Sequence, residues 1–387
     1  TYMQLRCAVI TIAPFPKGNV STVRYTSYLK SLVKEKCYTF VLIYCPTRMA
    51  AHINNRFGIY EGINYQYATK PTWGKYYNIL IKGLYLIIGL LSSIKYIYNH
   101  KINTIVLYGD NPAIVTIFYW LVCKILDIKY IGDRSEYPNI QVRNSKFRMF
   151  FFKIQMSLFD GLIIMTKELV QFYKKCSKKE NYIFLLPMTI DRHRFDSAKI
   201  KPQQQPYIAV VFGIHNRDGL YESLMSYSLY CKEYGGKYDM VLIGDYDNMP
   251  NKEILDLVIN DDSLKNRIQV LGKVDIDEVP QILINASCLL TTPNSYISGG
   301  FPTKLGEYML SGVPVVATNA GEISDYVEDR NEVILVPVGD IDSIAEQILF
   351  VEQHPSEVKI MAENAKRKVC TTFSADTYVN NLIRFLQ

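Results

Sequence analysis

Residues 291–318 read TTPNSYISGGFPTKLGEYMLSGVPVVAT and hold the densest local signals in the chain. A strand is predicted to end at 291–293, a loop with paired glycines follows, and a short helix begins near Thr303. Gly312 and Pro314 are expected to end that helix. Such a loop leaves several backbone N–H groups pointing outward, next to the positive end of the helix dipole. The pattern therefore predicts a binding site for a phosphate or a diphosphate.

Two charged side chains on the predicted helix can be interpreted in two ways. If Thr303 is the N-cap, the acid of a capping box would fall at Gly306, so capping does not require Glu307. Glu307 is then either a favourable charge near a helix start, worth about 0.3–1 kcal/mol, or a ligand for the hydroxyls of a ribose. Lys304 is either a solvated surface lysine or a point charge for the diphosphate.

Upstream and downstream of this segment, short apolar runs alternate with helix-length segments. Strands are predicted at 7–13, 38–44, 104–108, 129–132, 161–165 and 182–187, and again at 207–213, 239–244, 267–272, 286–291, 313–318 and 333–337. The alternation predicts an α/β protein with parallel sheets covered on both faces. The polar stretch KIKPQQQP at 199–206 interrupts it and is interpreted as an interdomain linker.

The predicted organisation is thus a first domain at 1–198, a linker at 199–206 and a second domain at 207–372. A last helix at 373–387 is expected to pack back on the first domain. Both domains are expected to be Rossmann-like and doubly wound. Ligands of such sheets bind at the carboxyl ends of the strands, so we expect a central cleft that the two domains face.

Charge is divided unevenly along the chain. The net charge is +6, but residues 1–200 carry +17 and residues 201–387 carry −11.

The apolar run at 84–94 spans eleven residues, whereas a spanning helix needs about 20, so no transmembrane segment is predicted. This run is either a buried core helix or an interfacial helix with lysine and tyrosine flanks. A second patch at 143–153 holds four phenylalanines among cations. Both patches favour an anionic membrane surface over nucleic acid.

Metal and disulfide chemistry receive little support from the sequence. The eight cysteines contain no CxxC pair and are interpreted as reduced core thiols of a cytosolic protein. The five histidines show no zinc-ligand spacing. The Asp-x-Asp triplets at 245–247, 275–277 and 340–342 are interpreted as turn and cap residues, with Asp245 as the strongest exception. No secretory signal is recognised.

Residues 299–318 closely resemble the donor-site motif of retaining GT-B glycosyltransferases of the "family four" group. The resemblance extends through 319–338. Upstream, LPMTIDRHRF at 186–195 is similar to the family's junction signature, and Gly213 with Arg217 is similar to the loop that places a basic residue on the donor diphosphate. In the first domain, PFPKG at 14–18 resembles the family's first glycine-bearing loop. Asp133 and Glu136 fall where the family places a polar cluster near the transferred sugar, although both could simply support a turn.

Two positions depart from the family pattern. The family commonly has a glutamate eight positions before the second one, where this chain has Gly299. Nearby Asn294, Ser295 and Tyr296 are candidates to replace it. The basic pair on the phosphates is also incomplete, because Arg217 fits its second member and the first lies nearest His215.

The resemblance implies a retaining, metal-independent hexosyltransferase that takes a UDP- or GDP-sugar as donor substrate and needs no other cofactor. The acceptor is expected to be a glycan or glycolipid in cell-surface polysaccharide synthesis, at the inner face of the plasma membrane. A nucleotide-sugar epimerase on the same scaffold and a non-catalytic nucleotide-sugar-binding protein remain alternatives.

Catalytic roles are assigned to Arg217, Lys304, Glu136 and Asp133. Donor-binding roles are assigned to Gly18, Gly213, His215, Arg217, Lys273, Val274, Asn294, Ser295, Gly299, Gly300, Phe301, Pro302, Thr303, Lys304, Leu305 and Glu307.

Overall fold

The computed structural model describes residues 4–18, 20–72, 78–177, 182–202, 205–213, 216–294 and 303–387. Contacts divide the chain into two compact units: residues up to Asp191 with Ser374–Gln387, and residues from Arg192 to Phe373. The division falls before the predicted linker. Lys199 and Lys201 donate their backbone N–H groups to Gln281 and Asn285, which ties the start of this segment to the second unit.

The first unit is built on an eight-stranded sheet. Its strands are β1 (Arg6–Thr11), β2 (Tyr38–Ile43), β3 (Phe57–Tyr60), β4 (Ile63–Tyr67), β5 (Thr104–Tyr108), β6 (Lys129–Arg134), β7 (Gly161–Ile164) and β8 (Ile183–Leu185). The order is β3-β4-β2-β1-β5-β6-β7-β8, and among these described strands only β3 runs antiparallel to its neighbour. The six predicted strands are confirmed. The edge hairpin of β3 and β4 was missed because its short, half-exposed strands lack a continuous apolar run.

Helices cover both faces of this sheet. They are α1 (Val20–Lys34), α2 (Ile79–Asn99), α3 (Ala113–Leu126), α4 (Ile140–Arg143), α5 (Lys146–Ser157) and α6 (Lys167–Lys174). Tyr25 and Tyr28 of α1 belong to the core on one face, and α2, α3, α5 and α6 contribute to the core on the other. Gly89 brings α2 against the sheet, because a Cβ there would lie 1.8 Å from the carbonyl oxygen of Tyr44.

The apolar part of α2 is longer than the run of eleven residues at 84–94. Among the described residues, α2 is the one helix long and apolar enough to cross a membrane, as judged by length and composition alone. The count of eleven consecutive apolar residues underestimated it, since the helix continues for 21 residues. It is not a buried core helix either, because only 17% of its most apolar window is buried.

The second unit contains a six-stranded, fully parallel sheet in the order β11-β10-β9-β12-β13-β14. Its strands are β9 (Tyr207–Val211), β10 (Asp239–Ile243), β11 (Ile268–Gly272), β12 (Cys288–Thr291), β13 (Val315–Thr318) and β14 (Ile334–Val336). Its helices are α7 (Leu220–Lys232), α8 (Lys252–Ile259), α9 (Val279–Leu283), α10 (Thr303–Ser311), α11 (Ile323–Tyr326), α12 (Ile341–Gln353) and α13 (Pro355–Thr372). The predicted α/β class with two doubly wound sheets is confirmed.

The last helix, α14 (Ala375–Leu386), belongs to the first unit and packs on α1. Asp376 accepts hydrogen bonds from Ser31 Oγ at 2.5 Å and from Lys34 Nζ at 2.8 Å. The carbonyl oxygen of Leu386 accepts a hydrogen bond from Thr104 Oγ1 at 2.9 Å. These contacts fix both ends of the helix to the first sheet and its covering helix.

All eight cysteines are free thiols. Cys7, Cys123, Cys176 and Cys288 are buried, as predicted for core thiols. Cys370 is exposed on α13, so the prediction of core burial is wrong for that residue.

Candidate active site

The candidate site lies where the strand order of the second sheet reverses. From β9 the chain continues to β10 on one side, whereas β12 lies on the other side of β9 and leads on to β13. Open parallel sheets bind ligands at such a point, outside the carboxyl ends of the strands. Most of the predicted donor-binding residues that the structure describes follow β9 or β12. They are Gly213 and Arg217 after β9, and Asn294, Thr303, Lys304, Leu305 and Glu307 after β12. The fold therefore places them at the carboxyl ends of the strands of this sheet.

The loop after β9 is locked against the end of β12. Gly219 has φ +68°, and a Cβ there would lie 1.7 Å from the carbonyl oxygen of Thr292. The Thr292 hydroxyl donates to the carbonyl oxygen of Gly219 at 2.7 Å, and Asn294 N–H donates to that of Arg217 at 2.9 Å. Only glycine permits this approach, so the sequence Arg217-Asp218-Gly219 fixes the position of the loop.

Asp218 joins this loop to α10. Its Oδ2 accepts a hydrogen bond from Gly213 N–H and one from Lys304 Nζ, both at 2.5 Å. Burial lowers the pKa of Lys304, and the negative charge of Asp218 acts in the opposite direction. Arg217, beside Asp218, has an exposed side chain. Asp218 was not predicted as a site residue, although its position between a basic residue and a turn glycine was an available signal.

Glu307 lies one turn inside α10 and is paired with an arginine. Its Oε1 is 2.8 Å from Arg194 Nε, and both side chains are largely buried. Arg194 Nη2 also donates to the carbonyl oxygen of Ile276 at 3.0 Å. Burial raises the pKa of Glu307, while the Arg194 guanidinium lowers it. Arg194 was missed as a site residue, although it lies within the junction signature at 186–195.

The loops after β10 and β11 also lie at the carboxyl ends of the strands. Lys273 Nζ is 2.8 Å from Asp245 Oδ2, and this contact lowers the pKa of Asp245. Val274 is partly exposed beside Lys273. Leu305, by contrast, has no exposed surface and belongs to the core, so its assignment as a donor-binding residue does not fit this burial.

The other two Asp-x-Asp triplets accept hydrogen bonds from backbone N–H groups in a turn and at a helix start, as predicted. Asp275 Oδ1 accepts a hydrogen bond from Asp277 N–H at 3.0 Å, which closes a turn. Asp340 caps α12 by accepting from Ser343 N–H at 3.0 Å. Within the described residues, no three His, Cys, Asp or Glu side chains are grouped so that they could hold a metal ion.

The candidates in the first unit differ in accessibility. Gly18 follows β1, whose neighbours β2 and β5 mark the point where the strand order of the first sheet reverses. Asp133, at the end of β6, is fully buried and lies 3.5 Å from Arg24 Nη2. Its assignment as a group that faces a sugar does not fit this burial. Glu136 is exposed, and its carbonyl oxygen accepts a hydrogen bond from Tyr173 at 3.0 Å.

Seven candidates predicted from the sequence lie outside the described residues: His215, Ser295, Tyr296, Gly299, Gly300, Phe301 and Pro302.

Comparison with known proteins agrees with this arrangement. Residues 191–368 match the family described as glycosyl transferases group 1. The chain is similar to the amylovoran biosynthesis glycosyltransferase AmsK of Erwinia amylovora, with 23% identity over 261 residues. That alignment covers 60% of this chain and 63% of AmsK, so it spans less than two thirds of that relative.

Solved structures resemble the whole fold. A glycosyltransferase from Rickettsia africae ESF-5 matches with a TM-score of 0.74 and 16% identity, covering 99% of this chain and 98% of that one. HepE from Anabaena, solved in complex with UDP, matches with a TM-score of 0.71 and 14% identity over 99% of each chain. Residues 191–368 therefore match the glycosyl transferases group 1 family, and each unit of the chain has the α/β fold of GT-B glycosyltransferase structures.

Proposed function

We propose that this chain is a retaining glycosyltransferase. It transfers a hexose-type sugar from a UDP- or GDP-sugar to a lipid-linked glycan during the assembly of a cell-surface polysaccharide. Three observations support the proposal: the family match of the second unit, the relation to AmsK, which by its name serves amylovoran biosynthesis, and the likeness to HepE, which binds UDP and UDP-glucose.

The observation that carries the proposal is the Asp218 carboxylate between Gly213 N–H and Lys304 Nζ. This contact holds the loop after β9 and the first turn of α10 together. Arg217, Lys304 and the positive end of the α10 dipole thus lie in one region. Two cationic side chains beside a helix N-terminus suit a diphosphate.

The chemistry asked of these residues is electrostatic. A nucleoside diphosphate is already a good leaving group, so the protein must stabilise the charge that develops on the β-phosphate and exclude water. Arg217 and Lys304 would provide that charge, and Glu307 would accept hydrogen bonds from the ribose. We further propose that the departing phosphate takes the proton of the acceptor hydroxyl, so that neither a metal nor a cofactor besides the donor is needed.

The proposed site of action is the cytoplasmic face of the plasma membrane. A lipid-linked acceptor would be presented there, and the net charge of +17 in residues 1–200 suits an anionic surface. This part of the proposal concerns location and is independent of the donor site.

A donor screen followed by a transfer assay tests the proposal. Thermal shift with UDP- and GDP-hexoses identifies the donor, since binding at a hundredfold excess over Kd stabilises by about 2.7 kcal/mol. The matching donor is then incubated with a lipid-linked glycan in the presence of EDTA, and NMR gives the anomeric configuration of the product. Glu307→Ala and Arg217→Ala should weaken donor binding in a folded protein.

The outcomes separate the alternatives. Sugar on the acceptor with the donor's anomeric configuration supports the proposal, whereas an inverted product refutes retention. A 2-epimerised nucleotide sugar with no transfer would identify an epimerase. Donor binding with neither product would identify a binding protein.

A further inference from the structure

We propose that the outward sides of α2, α3 and α5 form one surface that inserts into the interfacial layer of an anionic bilayer, with α2 lying along the membrane instead of crossing it. We call it the three-helix surface. The inference deepens the proposed function and rests on it for the choice of the cytoplasmic leaflet. Its tests use neither donor nor acceptor, so they can fail independently of the transferase.

α2 is apolar on two sides. Gly89, Leu90, Ser93 and Ile97 are buried against the sheet. On the outward side, Leu84, Ile87, Ile88 and Leu91 are exposed, Leu91 by 59%. A helix that is apolar all round is normally buried in protein or in lipid, and here the protein covers one side only.

α3 repeats this arrangement and was not singled out by the sequence analysis. Val115, Tyr119 and Val122 are buried in the core. The outward residues Ile114, Ile117, Leu121 and Ile125 follow one another at helical spacing, and Ile125 is 79% exposed. They cannot be explained as core residues, since they lie on the exposed side of the helix.

α5 completes the surface with aromatic side chains. Phe152 and Met156 pack inward, whereas Phe147, Phe150, Phe151 and Ile154 are exposed, Phe147 by 72%. Aromatic rings on the exposed side of a basic helix are typical of helices that lie in a membrane interface.

Buried hydrogen bonds connect the three helices into one layer. The Tyr119 hydroxyl of α3 donates to Ser93 Oγ of α2 at 3.1 Å. Gln155 Nε2 of α5 donates to Thr116 Oγ1 of α3 at 2.7 Å. The three helices therefore pack side by side, and an apolar area that continues over three helices marks an interaction site.

Charge selects the partner of this surface. The three helices contain no Asp or Glu, and their cations are Lys82, Lys95, Lys124, Lys146, Arg148 and Lys153, all exposed. Anionic headgroups complement these cations, and acyl chains complement the apolar residues between them. A second copy of the same face would bring like charges together, which disfavours a symmetric dimer.

The packing of α2 explains why it would lie along the membrane. Crossing the bilayer would remove Gly89 from Tyr44 and Ser93 from Tyr119, and would expose the core residues Leu90 and Ile97. In an interfacial position the inward contacts are kept, while the outward side leaves water.

Sedimentation with vesicles tests the surface. The full chain is mixed with vesicles of phosphatidylcholine containing phosphatidylglycerol, and with vesicles of phosphatidylcholine alone. We expect binding to the anionic vesicles to be at least about tenfold stronger and to weaken with salt. Ile117→Glu with Ile125→Glu should reduce binding about tenfold or more, because two carboxylates would enter the interface.

A matched control is available on α8 of the second unit. Ile254 and Leu257 are also exposed on one helix. Ile254→Glu with Leu257→Glu adds the same charge and removes similar side chains, and should leave vesicle binding unchanged. Circular dichroism and thermal melting confirm that both double variants fold.

Three results would overturn the proposal. The first is no binding to anionic vesicles, and the second is an equal loss in the α3 and α8 double variants. The third is a dimer, by analytical ultracentrifugation, that Ile125→Glu dissociates, which would assign the surface to a second copy. Alkaline carbonate should release the bound protein from vesicles. Retention after carbonate would be a fourth such result, because it would refute the position of α2 along the membrane.

Discussion

The two units use their charged and apolar side chains in opposite ways. In the first unit Arg24 and Asp133 form a fully buried ion pair, while large apolar residues of α2, α3 and α5 are exposed. In the second unit most large apolar residues fill the core, and the charged residues Arg217, Asp218 and Lys304 gather at the carboxyl ends of the strands. A buried ion pair is tied to the fold, because the loss of one partner leaves an uncompensated buried charge, whereas charge at the carboxyl ends of the strands remains available to a ligand.

Catalytic roles were predicted from the sequence for charged residues in both units. The contrast separates the two units in this respect. The structure leaves accessible charge at the strand-order reversal of the second sheet, and gives the first unit an apolar surface with a cationic frame. Substitutions at Asp133, Arg217, Arg194 and Lys304 test whether the contrast holds.

Asp133→Ala tests whether the buried pair is structural. The change would leave Arg24 buried without its carboxylate partner, so we expect a loss of about 3–5 kcal/mol in the free energy of unfolding of the first unit. Urea denaturation followed by circular dichroism measures it, with Asp110→Ala at an exposed position as the control. Unchanged stability together with lost transfer would instead assign Asp133 to the sugar and remove the contrast.

Arg217→Ala tests the accessible charge of the second unit. Removal of one preorganised group that stabilises developing charge typically reduces the rate about 10²–10³-fold, and we expect a loss of this size in kcat/KM. Lys265→Ala, at another exposed cation of the same unit, should retain the wild-type rate. Because Arg217 is exposed, both variants should melt at the wild-type temperature.

Arg194 and Glu307 test whether a pair in the second unit also supports the site. Arg194→Gln would leave the Glu307 carboxylate largely buried without its guanidinium partner, which costs about 1–3 kcal/mol in stability. We expect Glu307→Gln in the same chain to recover part of that loss, because no unpaired charge then remains. A double-mutant cycle on unfolding free energies measures the coupling.

Nucleotide affinity distinguishes a positioning role of Arg194 from a purely structural one. If Arg194 orients Glu307 toward the ribose, Arg194→Gln weakens a ribonucleotide more than its 2′-deoxy analogue. Equal weakening of both nucleotides would show that Arg194 serves only the fold.

The regular parts of this molecule follow from local sequence patterns. The twelve predicted strands and the start of α10 at Thr303 were found because apolar runs, turn residues and helix stops are signals of a few neighbouring residues. Pairings between distant residues carry no such signal. Lys304 and Asp218 are 86 positions apart, and Arg24 and Asp133 are 109 positions apart. Which residues form such pairs depends on how the helices and strands pack against one another.

The exposed side of α3 could not be predicted for a related reason. Its composition indicates an apolar helix, and apolar residues lie on both of its sides. Whether a second layer covers the outer side depends on the rest of the fold. Asp133 illustrates the converse: its position after a strand predicts a place at the sheet edge, but only the tertiary contact with Arg24 shows that it is buried.

The smallest expected effect concerns the proton on Lys304. Burial lowers the pKa of this amine, so it loses its positive charge at a lower pH than an ordinary lysine. Its attraction for a diphosphate is therefore complete below that pKa and is lost as the pH rises through it. Lys304→Arg keeps the charge, because a guanidinium stays protonated throughout this range.

We expect the donor affinities of wild type and Lys304→Arg to diverge as the pH rises from neutral into the alkaline range. The ratio of the two affinities, by calorimetry, should change by about fivefold, since one partly exposed charge pair is worth about 1 kcal/mol. Taking the ratio cancels the titration of the nucleotide base, which affects both proteins equally. A ratio that does not change with pH would mean that Asp218, and not the diphosphate, is the permanent partner of Lys304, and that Arg217 acts as the accessible cation of this site.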